Sequence, residues 1–150
     1  MATIQIGDKA PVFRGTDQNG NVISLDDFKG KKLILYFYPK DDTSGCTAEA
    51  CNLRDNYQDL ISRGYSVVGV SADDEKSHRK FSEKYSLPFP LIADTEKNII
   101  KAYGAWGEKK MYGRSYEGIH RMTFVISGEG KIEKIIDEVK TNDHTRQIFE

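Results

Sequence analysis

"KKLILYFYP" (Lys31–Pro39) is the stretch on which the fold turns. From Leu33 it is continuously apolar and rich in aromatic side chains, and Pro39 ends it because proline has no N–H to give a sheet ladder. An apolar run with no polar alternation predicts a strand buried on both faces, as in parallel sheets covered by helices. The flanking pattern agrees. From about Thr43 to Ser62, Leu53, Tyr57, Leu60 and Ile61 recur at helical spacing, and Gly64 follows as a stop. "YSVVGVSAD" (Tyr65–Asp73) is a second buried strand, "DEKSHRKFSEKYS" (Asp74–Ser86) a polar helix, and "FPLIAD" (Phe89–Asp94) a short third strand. "RMTFVIS" (Arg121–Ser127) and "KIEKIID" (Lys131–Asp137) flank "GEG" as an antiparallel hairpin. "NGNVISL" (Asn19–Leu25) reads as another hairpin, "GAWGEKKMYGRSYEGIH" (Gly104–His120) as a long loop at a functional rim or simply a surface excursion, and a short helix closes the chain. Strand–helix alternation with right-handed crossovers gives an α/β fold, a central sheet with helices on both faces.

The 150 residues fit one domain, 1–150. Charged residues make up 30% and the net charge is −1, so nothing points to nucleic acid as a partner. "MATIQIGDKA" lacks the basic segment and apolar run of a secretory signal, and no apolar stretch approaches the ~18 residues that span a bilayer. The expectation is a cytoplasmic protein with no membrane partner. In a reducing compartment two cysteines suggest catalysis, redox sensing or metal binding rather than a structural staple.

Both cysteines lie in "YPKDDTSGCTAEAC" (Tyr38–Cys51). Cys46 falls past the end of a buried strand, in the first turn of the next helix. Helix N-termini carry unpaired N–H groups and partial positive charge, which stabilise a thiolate. The carboxyl ends of strands in such sheets are also where ligands bind. Position makes Cys46 a candidate nucleophile; the alternative is an inert buried thiol. The pattern P-x-x-x-T-x-x-C formed by Pro39, Thr43 and Cys46 favours chemistry. Proline fixes the turn and shields one side of the sulfur. The threonine, one helical turn earlier, aims a hydroxyl that both donates and accepts at the same small volume. That suits H–O–O–R, held at one oxygen while sulfur attacks the other. Lowering a thiol pKa from about 8.5 to about 6 raises its ionised fraction at pH 7 only about thirtyfold, and it weakens the nucleophile. The larger share of catalysis must come from donors facing the departing oxygen.

This pattern is the signature of the peroxiredoxins. "YFYPKDDTSGCTAEACNLRD" together with "GIHRMTFVIS" resembles the Q-type peroxiredoxins, or bacterioferritin comigratory proteins, from about Gly7 to Asn142. The resemblance implies a thioredoxin-like fold with a central mixed sheet. It also implies thiol-dependent reduction of hydrogen peroxide and organic hydroperoxides, recycling by thioredoxin or a similar dithiol, a monomer, and neither cofactor nor metal. By position it implies that Cys46 is the peroxidatic cysteine, Thr43 the peroxide-binding threonine, Pro39 the shielding proline, Arg121 the activating arginine and Cys51 the resolving cysteine. Ser44 stands where the family often has proline, a departure that removes no reacting group. On one regular helix, residues five apart are separated by about 7.5 Å of rise and roughly 500° of turn, so their Cα atoms lie about 8–9 Å apart. A disulfide needs less than about 7 Å, so a Cys46–Cys51 bond requires the helix to unwind from about Thr43 to Leu53.

Glu49, one turn after Cys46, orients Arg121 or the loop, or else is an ordinary exposed helix carboxylate. His78, His120 and His144 read as surface or structural. Two other functions compete for a chain with two cysteines. A thiol–disulfide oxidoreductase would carry C-x-x-C, where this chain has C-x₄-C. A metal- or redox-sensing module would need more ligands than two cysteines and a distant histidine.

Overall fold

The computed structural model describes residues 4–150, so the first three residues of the N-terminal stretch read above lie outside it. In chain order the elements are β1 (Arg14–Thr16), β2 (Val22–Ser24), a single 3-10 turn (Leu25–Phe28), β3 (Lys32–Phe37), α1 (Ser44–Asp55), α2 (Tyr57–Ser62) and β4 (Tyr65–Ser71). They continue as α3 (Glu75–Tyr85), β5 (Leu91–Ala93), α4 (Asn98–Ala102), β6 (Trp106–Met111), β7 (Arg114–Ile119), β8 (Met122–Ile126), β9 (Ile132–Ile136) and α5 (His144–Phe149). The central sheet has the order β5-β4-β3-β8-β9. β3, β4 and β5 run parallel, while β8 is antiparallel to β3 and β9 to β8, so the sheet is mixed.

The apolar run at β3 lies at the centre because it feeds two cores. Leu33, Leu35 and Phe37 point into one, with Val68, Ile92, Ile100, Tyr103 and Phe124. Ile34, Tyr36 and Tyr38 point into the other, with Cys46, Ala50, Leu53, Leu60, Phe81, Phe89 and Ile148. Side chains alternate across a strand, so a strand covered on both faces shows no polar alternation. Helices α1, α2, α3 and α5 contribute to the second core and α4 to the first, which puts helices on both faces. No helix among the described residues is long and apolar enough to cross a membrane.

Three expectations need correcting. The helix expected over Thr43–Ser62 breaks at Asn56 (φ −106°, ψ 11°), whose side-chain amide donates to the Asn52 carbonyl at 2.8 Å. A side chain competing for helical carbonyls is why asparagine disfavours helix interiors. The rim "loop" Gly104–His120 is the β6–β7 hairpin, turned by Tyr112 (φ 53°) and Gly113 (φ 78°), the paired positive φ that two-residue hairpin turns use. Both its faces are largely exposed, so no apolar alternation marked it. Asn19–Leu25 supplies only the turn and second strand of its hairpin; the partner is Arg14–Thr16. Gly15 lies at the centre of that partner, where a Cβ would come 2.5 Å from Ile92 Cγ2.

Candidate active site

The β3–β8 register pairs Phe37 with Met122, so Arg121 emerges where β3 ends and the loop to α1 begins. Thr43 is the N-cap of α1 in extended conformation (φ −99°, ψ 158°), and its carbonyl accepts from Thr47 N–H at 2.8 Å. Its hydroxyl does not cap the helix; it donates to the Lys40 carbonyl at 2.9 Å. No acidic residue occupies the first turn. Cys46, buried in that turn, therefore meets the unpaired N–H groups and positive end of α1 without a competing carboxylate.

Arg121 spans two partners. Its Nη2 donates to Cys46 Sγ at 3.3 Å and its Nη1 to Glu49 Oε1 at 2.8 Å. Gly45 makes room for the fork, since a Cβ there would lie 3.1 Å from Arg121 Nη2. Glu49 is not the exposed carboxylate of the alternative reading; it is 0% exposed. Burial pushes its pKa up to about 7 against the pull of Arg121. Its second oxygen, Oε2, is buried with no hydrogen-bond partner.

His144 of α5 lies against that oxygen, with Nε2 at 3.5 Å. His144 is fully buried. Its Nδ1 faces Gln147 Oε1 at 3.0 Å, and the Gln147 amide is oriented by donating to the Glu138 carbonyl and accepting from Lys140 N–H, each at 2.9 Å. An oxygen there means that Nδ1 carries the hydrogen. Burial, partly offset by the Gln147 bond, and the Arg121 charge hold the His144 pKa below its ordinary value. His144 is thus neutral, and its Nε2 lone pair accepts from Thr123 Oγ1 at 2.7 Å. Glu49 and His144 are close, yet they are not an ion pair.

A second network pins the loop on its other side. Asp41 accepts from Tyr38 OH (2.6 Å), Ser77 Oγ (2.8 Å) and His78 Nδ1 (2.6 Å), while Asp41 N–H donates to Asp73 Oδ2 (2.9 Å). His78 Nε2 faces the Ile92 carbonyl at 2.9 Å. Both ring nitrogens meet acceptors, so His78 is an imidazolium. Burial alone would lower its pKa, but the bond and charge of Asp41 and the Ile92 carbonyl raise it above the ordinary value. Donor atoms of Asp41, Asp73 and His78 lie within 4.8 Å of one another, a spacing a metal could use. Their lone pairs and protons are already committed to one another and to Tyr38, Ser71 and Ser77.

Of the residues singled out in the sequence, Cys46 and Arg121 are in contact, Thr43 opens the helix, and Pro39 follows β3 half-buried. Cys51 is not brought to Cys46. Both are free thiols on the intact α1. Next to Cys51, Asn52 ties α1 to α5: its Oδ1 accepts from Thr145 N–H and Oγ1, both at 2.8 Å, and its Nδ2 donates to the Asn142 carbonyl at 3.1 Å. The Glu49–His144 contact and the Asp41–His78 pair carried no sequence signal beyond the presence of the histidines.

A mixed sheet in this order, with a cysteine opening the helix after its central strand, is the thioredoxin-like arrangement. Residues 6–135 match the AhpC/TSA family, and the chain belongs to that family as a peroxidase of the peroxiredoxin type. It is 43% identical to peroxiredoxin Bcp of Escherichia coli K12 over 144 residues, covering 96% of this chain and 92% of that one. Peroxiredoxin Bcp of Bacillus subtilis 168 is also 43% identical, over 148 residues covering 99% and 94%. Among solved structures, a cysteine-to-serine mutant of Xylella fastidiosa peroxiredoxin Q superposes with a TM-score of 0.92 at 30% identity, covering 99% of this chain and 94% of that one. The Xanthomonas campestris bacterioferritin comigratory protein, studied for its alkyl peroxide reduction activity, gives a TM-score of 0.87 at 32% identity, covering 94% of each chain.

Proposed function

We propose that this peroxidase acts as one domain over residues 1–150. It reduces hydrogen peroxide and organic hydroperoxides at Cys46, resolves the product with Cys51, and is recycled by thioredoxin or a similar dithiol. It works as a cytoplasmic monomer without metal or cofactor. The observation that carries the reading is the 3.3 Å approach of Arg121 Nη2 to Cys46 Sγ at the start of α1. The alkyl peroxide reduction named for the X. campestris relative supports organic hydroperoxides as substrates.

The thiolate of Cys46 attacks the nearer peroxide oxygen; an S–O bond forms, the O–O bond breaks, and the departing oxygen leaves as an alkoxide or hydroxide that takes up a proton. Thr43 gives its hydroxyl hydrogen to the Lys40 carbonyl, so its lone pairs are free to accept the peroxide O–H. Arg121 and the N–H groups of the first turn are the donors for the charge that builds on oxygen. Pro39 walls the site beside the loop. Sulfenic acid at Cys46 then condenses with the Cys51 thiol, losing water. Both residues lie on α1, so its first turns must open for that bond to form. The test is peroxide-dependent NADPH oxidation through thioredoxin and its reductase. The intact chain turns over; Cys46→Ser consumes no peroxide; Cys51→Ser reduces one equivalent and stalls as a sulfenic acid prone to over-oxidation. Substantial turnover by Cys46→Ser, or insulin reduction without peroxide turnover, would reverse the assignment.

A further inference from the structure

The Arg121 fork has two partners, and both can carry a negative charge. If Cys46 and Glu49 were ionised together, one guanidinium would face two buried anions. Glu49 makes that arrangement worse than a simple count suggests. Its Oε2 is buried and receives no hydrogen bond, and the atom facing it at 3.5 Å is a ring nitrogen whose lone pair already accepts from Thr123 Oγ1, because Gln147 fixes the His144 hydrogen on Nδ1. An ionised Oε2 would meet that nitrogen with nothing to bridge them. Protonation of Oε2 removes that buried charge and leaves Oε1 to accept from Arg121 Nη1 at 2.8 Å. An unsatisfied buried anion costs far more than an unsatisfied neutral carboxyl.

We propose that Glu49 is a proton-carrying positioning residue: it holds a proton on Oε2 while Cys46 is a thiolate, and releases it when that thiolate becomes sulfenic acid. The proposal rests on the peroxidase reading above. The buried charge then sums to zero at both stages. Before attack, Arg121 is opposed by the thiolate; afterwards, it is opposed by the Glu49 carboxylate across the existing 2.8 Å bond. The step balances as Cys46–S⁻ + R–O–O–H + Glu49–COOH giving Cys46–S–O–H + R–O–H + Glu49–COO⁻. Sulfur loses two electrons and the peroxide gains them. Glu49 lies behind Arg121 and is fully buried, so its proton balances the product through solvent exchange and not by contact.

The groups facing Glu49 from each packed element agree with this. Arg121, entering β8, favours the carboxylate. Cys46 on α1, when ionised, disfavours it. His144 on α5 is neutral. Tyr36 on β3 is fully buried, and burial, followed by the nearby Glu49 and Cys46, keeps its phenol protonated. The elevated pKa of Glu49, about 7, puts the exchange within the working pH range.

The test follows protons and carboxyl groups through a single turnover. On a Cys51→Ser background, which stops at the sulfenic acid, one equivalent of hydroperoxide is added near neutral pH in dilute buffer with a pH indicator. With Glu49 present, proton uptake falls well below one per peroxide reduced; with Glu49→Gln it rises to one. Infrared difference spectra of the reduced Cys51→Ser chain, on adding one equivalent of hydroperoxide, show loss of a protonated-carboxyl C=O band and gain of carboxylate bands, and Glu49→Gln on that background lacks both. The infrared arm stands if the variant does not fold. Peroxide reduction with equal proton uptake and no carboxyl signal overturns the Glu49 role alone. Failure to reduce peroxide at all overturns the peroxidase reading as well.

Discussion

Two buried carboxylate–histidine pairs flank the loop that leads into α1, and they are built differently. Asp41 and His78 sit 2.6 Å apart, and every oxygen and nitrogen of the pair has a partner. Glu49 and His144 sit 3.5 Å apart, and one carboxylate oxygen has none. The first pair is an ion pair because both histidine nitrogens face acceptors. The second is a neutral contact because Gln147 fixes one tautomer and Thr123 occupies the other nitrogen. A saturated pair has one low-energy protonation state, so it serves as a scaffold. An unsaturated pair lies near the balance point between two states, and it is the one beside the guanidinium that touches Cys46.

The comparison breaks most decisively if the scaffold pair proves dispensable. Asp41→Ala leaves a buried imidazolium without its partner and is expected to cost about 3–5 kcal/mol of stability, read from urea unfolding. A loss under about 1 kcal/mol would mean that saturation at Asp41 does not hold the loop.

The next effect is on pH dependence. A carboxyl whose pKa rises on folding from 4.5 to about 7 keeps its proton in the native state while the unfolded chain has lost it. Native stability therefore falls as pH rises from about 4.5 to 7, by a total on the order of 3 kcal/mol. Glu49→Gln should remove that slope. Unfolding midpoints of both proteins at acid and alkaline ends of the window give the difference, from which the shared contribution of His78 cancels. Parallel slopes would show that Glu49 does not hold a proton on folding.

Smaller effects separate chemistry from scaffold. Arg121→Ala and Thr43→Val should stay folded and slow the peroxide step at least about tenfold, the scale of a charged hydrogen bond in the transition state. Unchanged stopped-flow rates would reduce both to structural parts. The smallest change is expected at Asn52→Ala, which frees α1 from α5 and should cost about 1 kcal/mol while speeding Cys46–Cys51 disulfide formation. Hydrogen exchange across Thr43–Leu53 should be faster in the oxidised protein than in the reduced one. Equally slow exchange with the disulfide present would exclude unwinding.

Much of the site was legible because its signals are local. Pro39, Thr43 and Cys46 lie within one strand-to-helix turn, and strand burial, helix start and spacing are short-range properties. The hairpin over Gly104–His120 was missed because it faces solvent on both sides. The break at Asn56 was missed because the periodicity continues across it. Glu49 remained ambiguous because a polar residue one turn after the cysteine faces inward or outward according to what packs there.

The amino-acid sequence by itself determined the doubly buried central strand, the cysteine in the first turn of a helix and the helical separation of Cys46 from Cys51, since each depends on backbone periodicity and neighbouring residues alone. Only the tertiary structure decided which distant groups meet. The β3–β8 register carries Arg121 to the thiol, and the docking of α5 sets His144 against Glu49. Those contacts join residues 75 and 95 positions apart (121 − 46 and 144 − 49), and their protonation states follow from burial and from partners such as Gln147 and Thr123. Charge and hydrogen-bond satisfaction are properties of an assembled interior, and no local pattern specifies them.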